Sequence, residues 1–438
     1  MSGLIISIWL LGITVAILAQ PVAGPIVYYM WTWFRPENQM YGGLSIRWGF
    51  LIAGASLVSY LYLGKRRVFP ANALTLFLIL FMLWYLASAL VNDVSSQDFT
   101  LATDFCKVIL MCLITASVIN TRTRIHALIW IVVISLGSFM LWSGLRVMVG
   151  ASGQAITGPG VASYIHETNG YARAIIYTVP LMAFLARYSA HAYVRWGLTV
   201  LSLLSILGMI GTNSRGAIAA FGVQCFVLWL YSAKKVLTAI VAVSLVAGFL
   251  LFIPEERQES FTGRTSTIAE ANEDASFLSR TRAWEWGWDY ALKHPYFGGG
   301  PSVYERIHRL ASHNSYLEVL GESGFIGLGI WSMIGILTLK ALFRIRRLSR
   351  GIPELVWADD LAFCIMISLV GYFAGGLLHN HGLFEYYYML IAIVMGTEIA
   401  VRNYLVSQAS EEDRRGPQHS YQQQEAQEAV SPSMPARL

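Results

Sequence analysis

The feature that most constrains this chain is a series of long apolar runs that recurs from the N-terminus to about residue 400. A run of about 17–25 apolar residues is the length that an α-helix needs to cross the hydrocarbon core of a bilayer. Only 13% of the 438 residues are charged, whereas soluble domains carry about 25%. The sequence therefore predicts an all-α integral membrane protein with about twelve transmembrane helices.

The predicted membrane segments lie near residues 4–34, 44–63, 71–91, 103–118, 127–149, 169–186, 196–211, 217–233, 236–253, 315–341, 359–378 and 385–401. The first run is interrupted at Gln20-Pro21, so it forms either one segment or two shorter helices. That choice changes the side on which the N-terminus lies and nothing downstream.

Basic residues mark the cytoplasmic ends of membrane helices. In this chain the clusters fall in alternate connections, at Lys65-Arg66-Arg67, Arg122/Arg124, Arg187/Arg195, Lys234-Lys235 and Arg344/Arg346/Arg347/Arg350. If all are cytoplasmic, the C-terminus is cytoplasmic too, and the connection at residues 254–314 faces the periplasm. A connection of about sixty residues is usually functional.

This pattern divides the chain into four parts. Residues 1–253 form the N-terminal transmembrane helices, residues 254–314 a large, partly helical periplasmic loop, and residues 315–402 the C-terminal transmembrane helices. The tail, residues 403–438, is polar, rich in Gln and nearly free of large apolar residues. Because such a segment buries too little surface to fold, we predict that the tail is disordered.

Within the long loop, Ser279 is a plausible N-cap for a helical pattern that places Arg280 and Trp284 on one stripe. Arg282 is offset from this stripe and lies beside acidic residues. The tryptophans are typical of an amphipathic helix at the membrane interface. The two arginines either bind anionic oxygens bidentately or pair with the neighbouring carboxylates. His294-Pro295 would end the helix.

Two glycine-containing stretches follow. Gly298-Gly299-Gly300 permits a tight turn or a close approach of the backbone to a ligand. His313-Asn314 stands where the loop re-enters the membrane, ahead of small residues that let a neighbouring helix pack closely. An imidazole there can accept a proton from an attacking hydroxyl, although a structural role or contact with a phosphate fits as well.

Polar residues also stand at other connections on the same side. Ser214-Arg215-Gly216 joins two apolar runs, and its arginine is held there for a functional pathway or simply snorkels to the interface. Weaker sites are His166 to Arg173 and His379-Asn380-His381. Two histidines at i and i+2 do not share a helix face, so the sequence predicts no metal site.

In this order and topology these residues resemble the O-antigen ligase family of bacterial surface polysaccharide enzymes. The matching elements are Ser214-Arg215-Gly216, the run Arg282, Trp284, His294-Pro295 and Gly298 to Gly300, and a pattern of His-Asn, nine residues, Gly, two residues, Gly, here His313-Asn314 to Gly324 and Gly327. The resemblance spans roughly residues 40–400, with its specific motifs confined to about 210–330.

The resemblance implies a metal-independent, cofactor-free glycosyltransferase in the bacterial inner membrane, with its active site facing the periplasm. Its donor is a polysaccharide on undecaprenyl pyrophosphate, and its acceptor is a sugar hydroxyl of lipid A-core. His313 is expected to be the general base and Arg215 an essential arginine, and either Arg280 or Arg282 is the loop arginine. The expected substrate-binding residues are Ser214, Trp284, His294, Gly299 and Asn314.

Three alternatives stay open. A polymerase of the same superfamily would use lipid-linked chains as donor and acceptor, and a protein O-oligosaccharyltransferase would differ only in its acceptor. A transporter or flippase is the alternative from another class, but such proteins have paired broken helices or repeats around a midplane site. Here the ionisable residues gather at one face instead. No nucleic-acid partner is expected.

Overall fold

A computed structural model describes residues 2–34, 47–63, 69–153, 156–158, 165–232, 234–236 and 275–430. Within these ranges the side chains of 2–10, 275–277 and 412–430 are not described. The predicted segment at 236–253 and the first part of the long loop therefore lie almost wholly outside the described residues.

Every regular element in the described part of the chain is helical. The α-helices are α1 (Ser2–Ala19), α2 (Ala23–Phe34), α3 (Trp48–Leu63), α4 (Ala73–Val91), α5 (Ser96–Val118), α6 (Arg122–Met148), α7 (Thr168–Tyr188), α8 (Ala192–Gly211), α9 (Arg215–Tyr231), α10 (Ala275–Lys293), α11 (Ser315–Ser349), α12 (Val356–Gly376) and α13 (Glu385–Val430). A π-helical turn spans Tyr304–His308, and a 3-10 turn spans Pro353–Leu355.

Seven helical segments among the described residues are long and apolar enough to cross a membrane. The shorter helices α3 and α9 are apolar as well. These findings confirm an all-α, multi-pass membrane protein, whereas the count of about twelve spans stays a prediction. The break at Gln20-Pro21 separates α1 from α2, so the first apolar run forms two helices.

Helix α13 runs from the last predicted membrane segment into the polar tail and ends at Val430. The disorder predicted for residues 403–438 stays a prediction.

The two ends of the bundle differ in charge. At one end, Arg187 at the end of α7 pairs with Asp360 in α12 at 3.0 Å, and Arg346 near the end of α11 pairs with Asp359 at 2.7 Å. Arg122 at the start of α6 lies over the Tyr188 ring there. The described basic clusters thus gather at this end, and the polar motifs of the sequence lie at the other.

Candidate active site

The starts of α7 and α9 are tied together at the end of the bundle opposite the ion pairs. Ser214 caps α9, where its hydroxyl accepts a hydrogen bond from the Ala217 N–H at 3.4 Å. The same hydroxyl donates to the Asn169 side-chain oxygen in α7 at 2.6 Å. Arg215, the exposed first residue of α9, is therefore held beside the first turn of α7.

His313 sits in a tight turn that starts α11. Asn314 is the N-cap, and its side-chain oxygen accepts from the N–H groups of Tyr316 at 2.9 Å and Leu317 at 3.1 Å. His313 itself has a φ of +47°, which residues other than glycine rarely adopt. Such conformations persist where the surrounding structure enforces them, often at functional sites. The His313 side chain is half-buried.

The loop of residues 377–384, between α12 and α13, is hydrogen-bonded to this turn. The Ser312 hydroxyl donates to the Asn380 side-chain oxygen at 2.8 Å, and the Ser315 hydroxyl donates to the His379 carbonyl at 2.7 Å. As a result the His379 ring faces the His313 ring, with 6.3 Å between centroids and 21° between planes.

Arg173 in α7 joins the two halves of the site. It is 1% exposed, and it donates to the carbonyls of Asn169 and Leu378, each at 3.3 Å. Its Nε has no hydrogen-bond partner, and it forms no ion pair within the described ranges. A Cβ on Gly216 would stand 2.6 Å from its Nη2, so a larger residue there would displace the guanidinium. A charge buried without a carboxylate is costly.

Burial and the nearby arginines together keep the histidines of the site neutral. Burial, followed by the charges of Arg280 and Arg173, lowers the pKa of His313 below its ordinary value. Burial and Arg173 also place the pKa of His379 and His381 well below that value. The imidazoles are therefore neutral at neutral pH, and a neutral imidazole is the form that can accept a proton.

Helix α10 brings the loop arginines to the site. Arg280 is half-buried and close enough to influence both His313 and His379. Arg282 is exposed, and two residues of a helix lie about 200° apart around its axis. Trp284 anchors the helix by donating from its indole to the Ser312 carbonyl at 2.8 Å. The described geometry therefore favours Arg280 as the loop arginine.

The glycine motifs seat the loop on α11. This helix is interrupted at Gly324, where φ is +69° and ψ is −175°. The interruption frees the Gly321 carbonyl, which accepts from the Gly299 N–H at 2.8 Å, and the Phe325 N–H, which donates to the Pro295 carbonyl at 2.9 Å. A Cβ on Gly324 would overlap the Tyr296 carbonyl. The first glycine of the pattern His-Asn-x9-Gly-x-x-Gly is thus the position around which the loop backbone hydrogen-bonds to α11.

Each of the five residues expected to bind substrate makes a structural contact with another residue of the site or of the helices around it. Ser214 and Asn314 are helix caps, Trp284 holds the turn before His313, and Gly299 donates its N–H to α11. His294 is exposed and stacks on Tyr290 with 4.4 Å between ring centroids. Substrate contact by these residues stays a prediction, and the contacts described here shape the site.

Sequence analysis placed Arg173, His379 and His381 only in weaker candidate sites. Each was visible as a polar residue in or beside an apolar run, on the side predicted to be periplasmic. The signal that could have raised Arg173 is an arginine inside a membrane helix, which is functional by default. The structure brings these three residues to the same cluster as His313 and Arg280.

Comparison with known families covers two parts of the chain. Residues 1–190 match the model of a family of unknown function (DUF5935), and residues 200–332 match the family model described as O-antigen ligase. No curated protein matches the chain significantly. The second match contains Arg215, Arg280 and His313, and it ends before the loop that carries His379. Residues 200–332, which carry most of the site described above, are therefore similar to the O-antigen ligase family.

Proposed function

We propose that the protein is an O-antigen ligase that transfers a polysaccharide from undecaprenyl pyrophosphate to a sugar hydroxyl of lipid A-core, without a metal or cofactor. We place the reaction at the periplasmic face of the bacterial inner membrane. The similarity of residues 200–332 to the O-antigen ligase family supports glycosyl transfer in a membrane, and the basic clusters at the opposite end of the bundle support the orientation.

The observation that carries the proposal is the buried Arg173 guanidinium beside two neutral histidines. It has a free Nε and no contacting carboxylate among the described residues, and Arg280 adds a second positive charge to the same cluster. A site with this charge is completed by an anion that presents several oxygens, and guanidinium groups bind phosphate oxygens in paired hydrogen bonds. The diphosphate of a lipid-linked donor has that chemistry.

We assign each group of the cluster one step of the reaction. His313 takes the proton of the acceptor hydroxyl, whose oxygen forms a bond to the anomeric carbon of the donor sugar. The bond from that carbon to the diphosphate oxygen breaks, and its electron pair leaves with the diphosphate. Arg173, Arg215 and Arg280 stabilise the charge that builds on this leaving group. The proton is held on His313 until product release.

A polymerase or a protein O-oligosaccharyltransferase would use the same donor chemistry with another acceptor. The His313-Asn314 spacing to Gly324 and Gly327 favours the ligase, because it follows the ligase pattern without a gap. A flippase would need no group that accepts a proton from an acceptor. The neutral, half-buried His313 in a strained turn supports an enzyme instead.

The test is reconstitution of the purified protein in lipid vesicles with undecaprenyl-pyrophosphate-linked polysaccharide and lipid A-core, in the presence of a chelator and without ATP. We expect polysaccharide-modified lipid A-core and released undecaprenyl diphosphate. Transfer only to a second lipid-linked chain would instead indicate a polymerase. Movement of the donor across the bilayer without any transfer would show that the protein is a flippase and not a glycosyltransferase.

Variants in the same assay test the assigned roles. His313→Ala and Arg215→Ala should abolish transfer while the purified proteins keep the wild-type melting temperature, because both residues are at least partly exposed. Lys340→Ala, near the other end of α11, is the matched control and should transfer normally. Wild-type transfer by His313→Ala would show that the base has been assigned wrongly.

A further inference from the structure

The loop between α12 and α13 carries three consecutive polar residues, and the fold uses the side chains of two. Asn380 accepts a hydrogen bond from the Ser312 hydroxyl at 2.8 Å. The Nε2 atom of His381 is bonded to the Tyr177 hydroxyl at 2.9 Å. These two contacts fix the loop against the turn before α11 and against α7. The His379 ring has no such task.

The His379 imidazole is held in place without being hydrogen-bonded. Its backbone carbonyl accepts from the Ser315 hydroxyl at 2.7 Å, and its side chain is 7% exposed. No residue that the structure describes forms a hydrogen bond with its ring, which faces the His313 ring at 6.3 Å. Its ring nitrogens are not among the fully buried atoms that lack a partner, so they keep access to solvent and a ligand can form a hydrogen bond with them.

Burial and the charges around His379 determine the protonation state of its imidazole. Its pKa is lowered well below the ordinary value by burial and by Arg173, with smaller contributions from His381, His313 and Arg280. The ring is therefore neutral at neutral pH, with one N–H donor and one acceptor nitrogen. It lies next to Leu378, whose carbonyl binds Arg173. His379 thus lies near both the Arg173 guanidinium and the His313 ring.

We propose that His379 is a second catalytic residue, whose neutral imidazole donates a hydrogen bond to a diphosphate oxygen of the donor while His313 takes the acceptor proton. The inference rests on the proposed function and adds a residue outside the matched family segment. No proton leaves His379. Its N–H bond strengthens the stabilisation of the diphosphate as that group receives the electron pair of the broken bond.

The two histidines are distinguished by what can replace them. A glutamine side chain is neutral and keeps a donor and an acceptor, but it does not take up a proton near neutral pH. His379→Gln should therefore retain most of the turnover that His379→Ala loses. Loss of one donor to a developing anion lowers kcat by about 100-fold or more. His313→Gln should be as inactive as His313→Ala.

The experiment measures kcat and KM of these four variants in vesicles, with His191→Gln as a matched control. His191 is exposed in the connection between α7 and α8, at the other end of α7 from Arg173. We expect low kcat for His379→Ala, recovery for His379→Gln and wild-type rates for His191→Gln. Wild-type kcat for His379→Ala, or equally low kcat for His379→Gln, would overturn the proposal.

A second readout separates this inference from the proposed function. Undecaprenyl diphosphate should raise the melting temperature of the wild type and of His379→Gln, and it should raise that of His379→Ala by less. If the wild type fails to transfer, the proposed function fails, and this binding comparison still decides the role of His379. An equal rise for all three proteins would show that the imidazole does not contact the diphosphate.

Discussion

Replacement of the buried Arg173 by methionine should make the protein more stable and inactive at the same time. Arg173 is 1% exposed and has no contacting carboxylate in the described part of the chain. The stem of arginine is a long, unbranched apolar chain, which methionine can replace. Methionine fills irregular space without a charge. A buried charge that is retained at a cost in stability is expected at a functional site.

The magnitude follows from two opposing contributions. Burial of an ion costs several kcal/mol even after relaxation, or about 4 kcal/mol for one group. The two hydrogen bonds from Arg173 are both 3.3 Å long and contribute about 1 kcal/mol each. Arg173→Met should therefore raise the free energy of unfolding by about 2 kcal/mol. Transfer should fall by about 100-fold or more, because one contact to the departing anion is lost.

The assay combines thermal unfolding in detergent with transfer in vesicles. Arg187→Met is the matched control, because it removes an arginine from the other end of the same helix, where the side chain is 65% exposed and pairs with Asp360. Exposed pairs contribute less than about 1 kcal/mol, and this variant should keep its activity. A lower melting temperature for Arg173→Met together with wild-type transfer would show that Arg173 stabilises the fold and does not act in transfer.

Three further results are expected. Arg280→Ala should lower transfer far more than Arg282→Ala, and the reverse order would reassign the loop arginine. Gly324→Ala should destabilise the protein by about 1–3 kcal/mol, because its backbone conformation is accessible essentially only to glycine, and an unchanged melting temperature would contradict this. Burial and the nearby arginines lower the pKa of His313 below its ordinary value, so the midpoint of the acid decline in kcat/KM should lie below the ordinary imidazole value of about 6.5; a midpoint above that value would contradict the assignment.

The local elements of this fold could be predicted from the sequence because their signals are local. Apolar runs predicted the helices, and Gln20-Pro21 marked the position at which α1 and α2 separate, which was one of the two possibilities left open. The caps Ser214 and Asn314 were not predicted. The placement of Arg280 and Arg282 on different sides of α10 followed from helical periodicity.

The assembly of the site could not be predicted in the same way. The bond from Ser214 to Asn169 spans 45 positions, and the bond from Arg173 to Leu378 spans 205. Contacts over such separations leave no periodic pattern in a single sequence. Gly324 was recognised by its spacing, but its role as the joint that receives the Gly299 backbone required coordinates.

We propose above that Arg173, Arg280 and His313 surround a lipid diphosphate. The most direct measurement is an experimental structure of the protein in lipid nanodiscs with undecaprenyl diphosphate bound. We expect phosphate oxygens at hydrogen-bond distance, about 3 Å, from the Arg173 Nε and from the Arg280 guanidinium, with His313 facing the position of the departing sugar. A diphosphate bound at the end of the bundle where Arg187 pairs with Asp360 would contradict the account.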